Sequence, residues 1–139
     1  RLEGDLPWDG EGWYPPQRDE AGVIYRWTGP QRFSNLDLPP LSGHTLIRIG
    51  ISGWISTRIL DSLKLSVNGC RIPFERHAGD GCVVLAGTLG ASALQPDACP
   101  QLVLEVAETL RPCDVTHGQN PDQRQLGVAI AWIEVSPAR

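Results

Sequence analysis

Two short stretches near the N-terminus hold the side chains best suited to gripping a polar ligand: Gly12-Trp13-Tyr14-Pro15-Pro16-Gln17 and Tyr25-Arg26-Trp27-Thr28-Gly29. Indole and phenol rings stack on the apolar faces of sugar rings, Arg and Gln reach equatorial hydroxyls, and prolines keep such a platform stiff at little entropic cost. Trp13, Tyr14, Gln17, Arg26 and Trp27 are therefore candidate saccharide-binding residues. The same types have a structural reading. Large aromatics are mostly buried, so Trp13 and Trp27 can plug one end of the fold while Arg26 ties the N-terminal loop down through backbone carbonyls. A third stretch, Asp122-Gln123-Arg124-Gln125, stands just before the last apolar run. Arg124 and Asp122 can grip a polar ligand there, or Asp122 can pair with Arg26 or Arg124 to pin the loop.

Covalent and metal chemistry find no comparable constellation. Gly50-Ile51-Ser52-Gly53 is one residue short of a nucleophile elbow, and the three histidines, His44, His77 and His117, lie far apart. Asp61, Asp80, Glu105, Glu108 and Asp114 could supply carboxylates, but no spacing selects a pair. The nearest metal-like pattern, Cys113 to His117, lacks the partner pair a zinc site needs. No phosphate-binding loop or calcium loop is present. The expectation is a non-catalytic chain with no metal and no cofactor. Of the four cysteines, Cys70 and Cys82 fall on strand patterns and read as small buried residues. Cys99 and Cys113 fall in loops and could bridge in an oxidising compartment.

The elements that must position these residues are strands. Fifteen glycines and twelve prolines cut the chain into segments too short for ordinary helices. Residues 45–52 alternate, with Ile47, Ile49 and Ile51 on one face and Leu46, Arg48 and Ser52 on the other. Leu63, Leu65 and Val67 lead into Asn68-Gly69 and on to Cys70, Ile72 and Phe74, the pattern of a type I′ hairpin. Cys82 to Ala86 and Leu102 to Val106 read as inner strands, and Leu126 to Val135 as a central strand carrying Trp132 in the core. Val23 to Thr28 and Phe33 to Leu38 read as a pair of weaker strands around Gly29-Pro30. Trp54 is expected to be the exposed aromatic outside the first cluster. A helical turn or two fits Ser56 to Leu63 and Leu89 to Leu94. Residues 1–22 and 111–125 are the long irregular stretches, a length that often carries function. The resulting expectation is an all-β fold: an antiparallel β-sandwich of jelly-roll type, about eight strands with little helix.

The chain has 139 residues, enough for one domain. Its apolar share of 41% supports a packed core, and its charged share of 20% is too small for a disordered chain. No apolar run is long enough to cross a bilayer. Eleven of the twelve basic residues are arginine, the net charge is −4, and no basic run occurs, which argues against nucleic acid or an anionic membrane surface as partner. A chain without methionine that starts at Arg1 reads as a single domain excised from something longer.

The Gly12 to Pro16 stretch, the Arg26-Trp27-Thr28-Gly29 run and the closing Asp122-Gln123-Arg124-Gln125-Leu126-Gly127-Val128-Ala129-Ile130 together resemble a β-sandwich accessory domain of bacterial glycosyltransferases and polysaccharide-assembly proteins. The resemblance runs from Gly12 to Val135, over short motifs. It implies a carbohydrate-binding-like module riding on an enzyme, with Trp13, Tyr14, Gln17, Arg26, Trp27 and Arg124 as the ligand-binding set. It further implies saccharide and the parent enzyme's other domains as partners, and a cytoplasmic location, with membrane association only through the parent protein. Gln17 departs from the pattern, which has glutamate there; if that carboxylate pairs with an arginine such as Arg26, glutamine keeps the hydrogen bond and loses the ion pair. The alternative is a structural or interaction module, with a second copy of the chain among its partners.

Overall fold

The structure is a computed structural model that describes residues 2–4, 8, 10–39, 41, 43–79, 82–90 and 99–137. In chain order the strands are β1 (Leu2–Glu3), β2 (Gln17–Arg18), β3 (Ile24–Trp27), β4 (Phe33–Asp37), β5 (Thr45–Trp54), β6 (Lys64–Val67), β7 (Cys70–Ile72), β8 (Phe74–Gly79), β9 (Cys82–Leu89), β10 (Gln101–Glu105) and β11 (Val128–Pro137). Two short helices, α1 (Thr57–Ser62) and α2 (Pro112–Val115), interrupt them.

These strands form two antiparallel sheets. The larger has the order β2-β3-β11-β5-β9-β8, with β1 also paired to β11; the smaller has the order β4-β10-β6-β7. The chain moves from one sheet to the other repeatedly: β3 larger, β4 smaller, β5 larger, β6 and β7 smaller, β8 and β9 larger, β10 smaller, β11 larger. The two strands expected to pair around Gly29-Pro30 therefore lie in different sheets, and the turn carries the chain across the sandwich.

Alternation explains the layering. In β5, Ile47, Ile49 and Ile51 are buried while Leu46 and Arg48 on the opposite face are half-buried. The inner face of the larger sheet adds Leu85, Val128, Ile130 and Ile133. These meet Leu36, Leu65, Val67, Leu102 and Leu104 from the smaller sheet in one apolar cluster. Each such side chain contributes on the order of 1.5–3 kcal/mol by leaving water. As expected, β11 is central in the larger sheet, and β9 and β10 each lie between two neighbours.

Connections follow local chemistry. Asn68 (φ 51°) and Gly69 (φ 82°) both adopt the left-handed region that a type I′ turn requires between β6 and β7. Asn68 also accepts a hydrogen bond on Oδ1 from the Gln101 amide, 3.0 Å, tying the hairpin to β10. Between β7 and β8 only Pro73 intervenes, and the chain changes sheets there. Ser56 caps α1, its Oγ accepting from the Ile59 amide at 3.2 Å. Ile59 and Leu60 then fill the sandwich where the chain passes from β5 to β6. The helical turn expected at Leu89 to Leu94 lies largely outside the described residues; Leu89 itself ends β9.

Several expectations need correction. Trp132 is not in the core but half-buried on the outer face of the larger sheet. Cys70 is exposed because it follows the hairpin turn directly, and Cys82 is half-buried at a strand start; none of the four cysteines is bridged. Trp54 is exposed as expected, at 38%, and Phe33, at 45%, is an exposed aromatic as well. The N-terminal segment, expected as loop, supplies the two-residue strands β1 and β2.

Candidate functional site

The predicted binding residues divide between the two sides of the larger sheet. β3 pairs with β11 so that Arg26 stands beside Ile130 and Trp27 beside Ala129. Ile130 belongs to the apolar core, so Arg26 shares the inner side and Trp27 the outer. Arg26 Nε donates to the Gly4 carbonyl at 3.0 Å, and its guanidinium lies 5.4 Å from the centre of the Trp8 ring. Burial lowers the Arg26 pKa from its ordinary value. Trp13 bridges to buried Thr28, and its ring meets Trp8 edge to face at 4.7 Å. Its Nε1 donates to the Asn35 carbonyl on β4 of the other sheet at 2.8 Å. Trp8, Trp13 and Arg26 thus join the two sheets and the N-terminal segment.

Tyr14, Gln17, Trp27 and Arg124 come together on the other side. Arg124 is the hub: Nη2 donates to Asp122 Oδ2 at 2.7 Å, Nε donates to both carboxylate oxygens at 3.1 Å, and Nη1 donates to Gln17 Oε1 at 2.8 Å. The guanidinium also lies 5.3 Å from the centre of the Tyr14 ring, a cation–π distance. The hydrogen bonds with Asp122 raise the Arg124 pKa, and those from Arg124 hold the Asp122 carboxyl below the usual carboxylate value. The arginine that meets Gln17 is therefore Arg124, not Arg26. Across β2 and β3, Gln17 pairs with Tyr25, and the Tyr25 and Trp27 rings meet edge to face at 6.5 Å. Gly29 lets Tyr14 lie close: its φ is +138°, and an added Cβ would come within 2.9 Å of Tyr14 Cε2 and 2.1 Å of the Gln125 carbonyl oxygen.

The outer face continues past these residues to a second aromatic that the sequence pattern misses. Trp132 stands opposite Gly50, and a Cβ added at Gly50 would lie 2.3 Å from the indole Cε2 and Nε1. The ring therefore rests on backbone that only glycine leaves bare. Arg48 lies 5.7 Å from the Trp132 ring centre and pairs with Glu134 through Nη1–Oε1 at 3.3 Å. Trp27 sits more loosely, its Cη2 3.8 Å, an ordinary van der Waals distance, from where a Gly53 Cβ would stand and its backbone beside Ala129. Small residues (Gly50, Gly53, Ala129 and, on β9, Ala86) floor this face, with rings laid over part of it.

The described residues include no group of three or more His, Cys, Asp or Glu side chains able to hold a metal ion. No helix among them is long and apolar enough to cross a membrane. No family model, curated protein or solved structure matches the chain.

Proposed function

We propose that the chain is a non-catalytic, saccharide-binding module of jelly-roll type that serves a larger bacterial enzyme of glycan assembly. The observation that carries this reading is the outer face of the larger sheet, where Trp132 lies over Gly50 and the edge of the Trp27 ring reaches Gly53. A ring held half-buried against backbone keeps little freedom to lose when a sugar stacks on it. Arg48, Gln17 and Arg124 flank these rings with hydrogen-bonding groups. The repeated crossing of the chain between sheets supports the jelly-roll reading. The motif resemblance supports the link to glycosyltransferases and polysaccharide assembly. Trp13 and Arg26 then serve the fold and hold β3 in place, while contact with the sugar falls to Trp27, Trp132 and the Tyr14–Arg124 cluster.

Titration of the chain with a panel of oligosaccharides, read by tryptophan fluorescence, tests the proposal. Saturable quenching or enhancement by at least one glycan, lost in Trp27→Ala, is the expected outcome. Silence across the panel would favour the alternative of an interaction module, for which exposed Phe33 on edge strand β4 is the natural contact.

A further inference from the structure

We propose that the bound saccharide is a neutral, linear chain of several sugars lying diagonally across the outer face of the larger sheet, an inference that rests on the saccharide-binding reading above. Three stations define the path. Trp27 stands level with Ala129, Trp132 stands three residues further along β11, and Leu46 of β5, level with Ser136, faces Thr88 of β9. Beside Leu46 and Thr88, a shallow cleft of about 450 Å³ is lined also by Glu75 and Ala86. At about 3.3 Å per residue along a strand and about 4.8 Å between strands, the line from Trp27 to Thr88 runs roughly 25 Å. A single sugar can touch one station only; an extended oligosaccharide can reach all three.

Charge selects the class. Arg48 is matched by Glu134 at 3.3 Å and Arg124 by Asp122 at 2.7 Å. Glu75, its side chain 82% exposed, adds a further carboxylate to this face, with His77 its ion-pair partner at 3.4 Å. Among the described residues, both guanidinium groups on this face are thus already paired with a carboxylate, and a glycan rich in uronic acids would meet repulsion rather than complementary charge. Neutral hydroxyls can share these paired groups as donors and acceptors without displacing either partner.

The test is titration of the 139-residue chain with cello-, xylo- and manno-oligosaccharides from disaccharide to hexasaccharide, beside oligogalacturonate of matching length, at low and high salt. The expected result is binding of at least one neutral series, insensitive to salt, with the hexasaccharide about tenfold or more tighter than the disaccharide, and no binding of oligogalacturonate. Thr88→Arg, a change at an exposed position that leaves the core untouched, should bring hexasaccharide affinity down to that of the shorter oligomers while sparing trisaccharide binding. Oligogalacturonate binding that weakens with salt would overturn the neutral-chain inference and leave the saccharide reading standing. So would neutral binding that gains nothing beyond the disaccharide, or hexasaccharide binding unmoved by Thr88→Arg. Failure of every oligosaccharide to bind would overturn both.

Discussion

The outer face of the smaller sheet carries Asp37, Gln101, Lys64 and Arg71, all exposed, whereas the outer face of the larger sheet carries Trp27, Trp132 and Tyr25, all half-buried, over a floor of glycine and alanine. Both faces belong to strands whose other side fills the same core, so alternation alone gives them equal freedom. The smaller sheet uses that freedom chiefly for polar side chains that stay solvated, with Phe33 an exposed aromatic among them. The larger gives it to rings held in fixed positions, with their flanking cations tied to carboxylates. Rigid aromatics on a sheet surface do little for the core, and the contrast is the reason the proposed recognition is placed on this side of the molecule.

The shared core sets the largest effect. Ile49 is fully buried between the sheets, and Ile49→Ala is expected to cost about 2–5 kcal/mol in chemical denaturation, disabling both faces together. Trp27→Ala separates them: glycan affinity should fall about tenfold, or roughly 1.4 kcal/mol, while far-ultraviolet circular dichroism stays unchanged. Gly50→Ala should lift the Trp132 ring, because the new methyl falls where the indole lies. A severalfold loss of affinity with an altered tryptophan emission is expected, and unchanged binding would mean that the seat under Trp132 has no part in recognition.

Acid sharpens the comparison at the edge of the same face. The hydrogen bonds from Arg124 depress the Asp122 carboxyl, so the folded state binds its proton less readily than the unfolded chain does. The stabilisation is complete above the ordinary carboxylate value and is lost as pH falls through the lower folded-state value. Thermal melts across that acid range should show a shallower loss of stability in Asp122→Asn than in the parent. The smallest effect belongs to the polar face: Arg71→Ala should shift stability within about ±0.5 kcal/mol and leave glycan binding alone. A marked loss of binding there would erase the distinction between the two faces.

Much of this fold is legible in the residues. Ile47, Ile49 and Ile51 announce β5, Asn68-Gly69 announces the hairpin, and Ser56 announces α1, because each depends on local chemistry alone. The candidate site is less legible, and Trp132 shows why. Val128 and Ile130 point inward, so strict alternation would send Trp132 inward too. The pairing of β11 with β5 slips between Ile130 and Trp132, and beyond the slip Ile133 takes the inner side. A bulge of this kind reverses the faces of everything after it. Its trace is present in the sequence as the change of apolar parity from Val128 and Ile130 to Ile133 and Val135. Trp13 and Arg26 carry two readings in the sequence, sugar contact and structural tie. Which side of β3 they share depends on its register with β11, a contact about a hundred residues away in the chain.

The five tryptophans permit a direct test of the central claim. In a nitrogen-15 spectrum of the chain, the indole signals of Trp27 and Trp132 should shift progressively as a binding oligosaccharide is added, while those of Trp8 and Trp13, set between the sheets, stay in place. Shifts confined to Trp8 and Trp13, or to backbone amides of Phe33, Gln101 and Arg71 on the smaller sheet, would contradict the assignment of recognition to the outer face of the larger one.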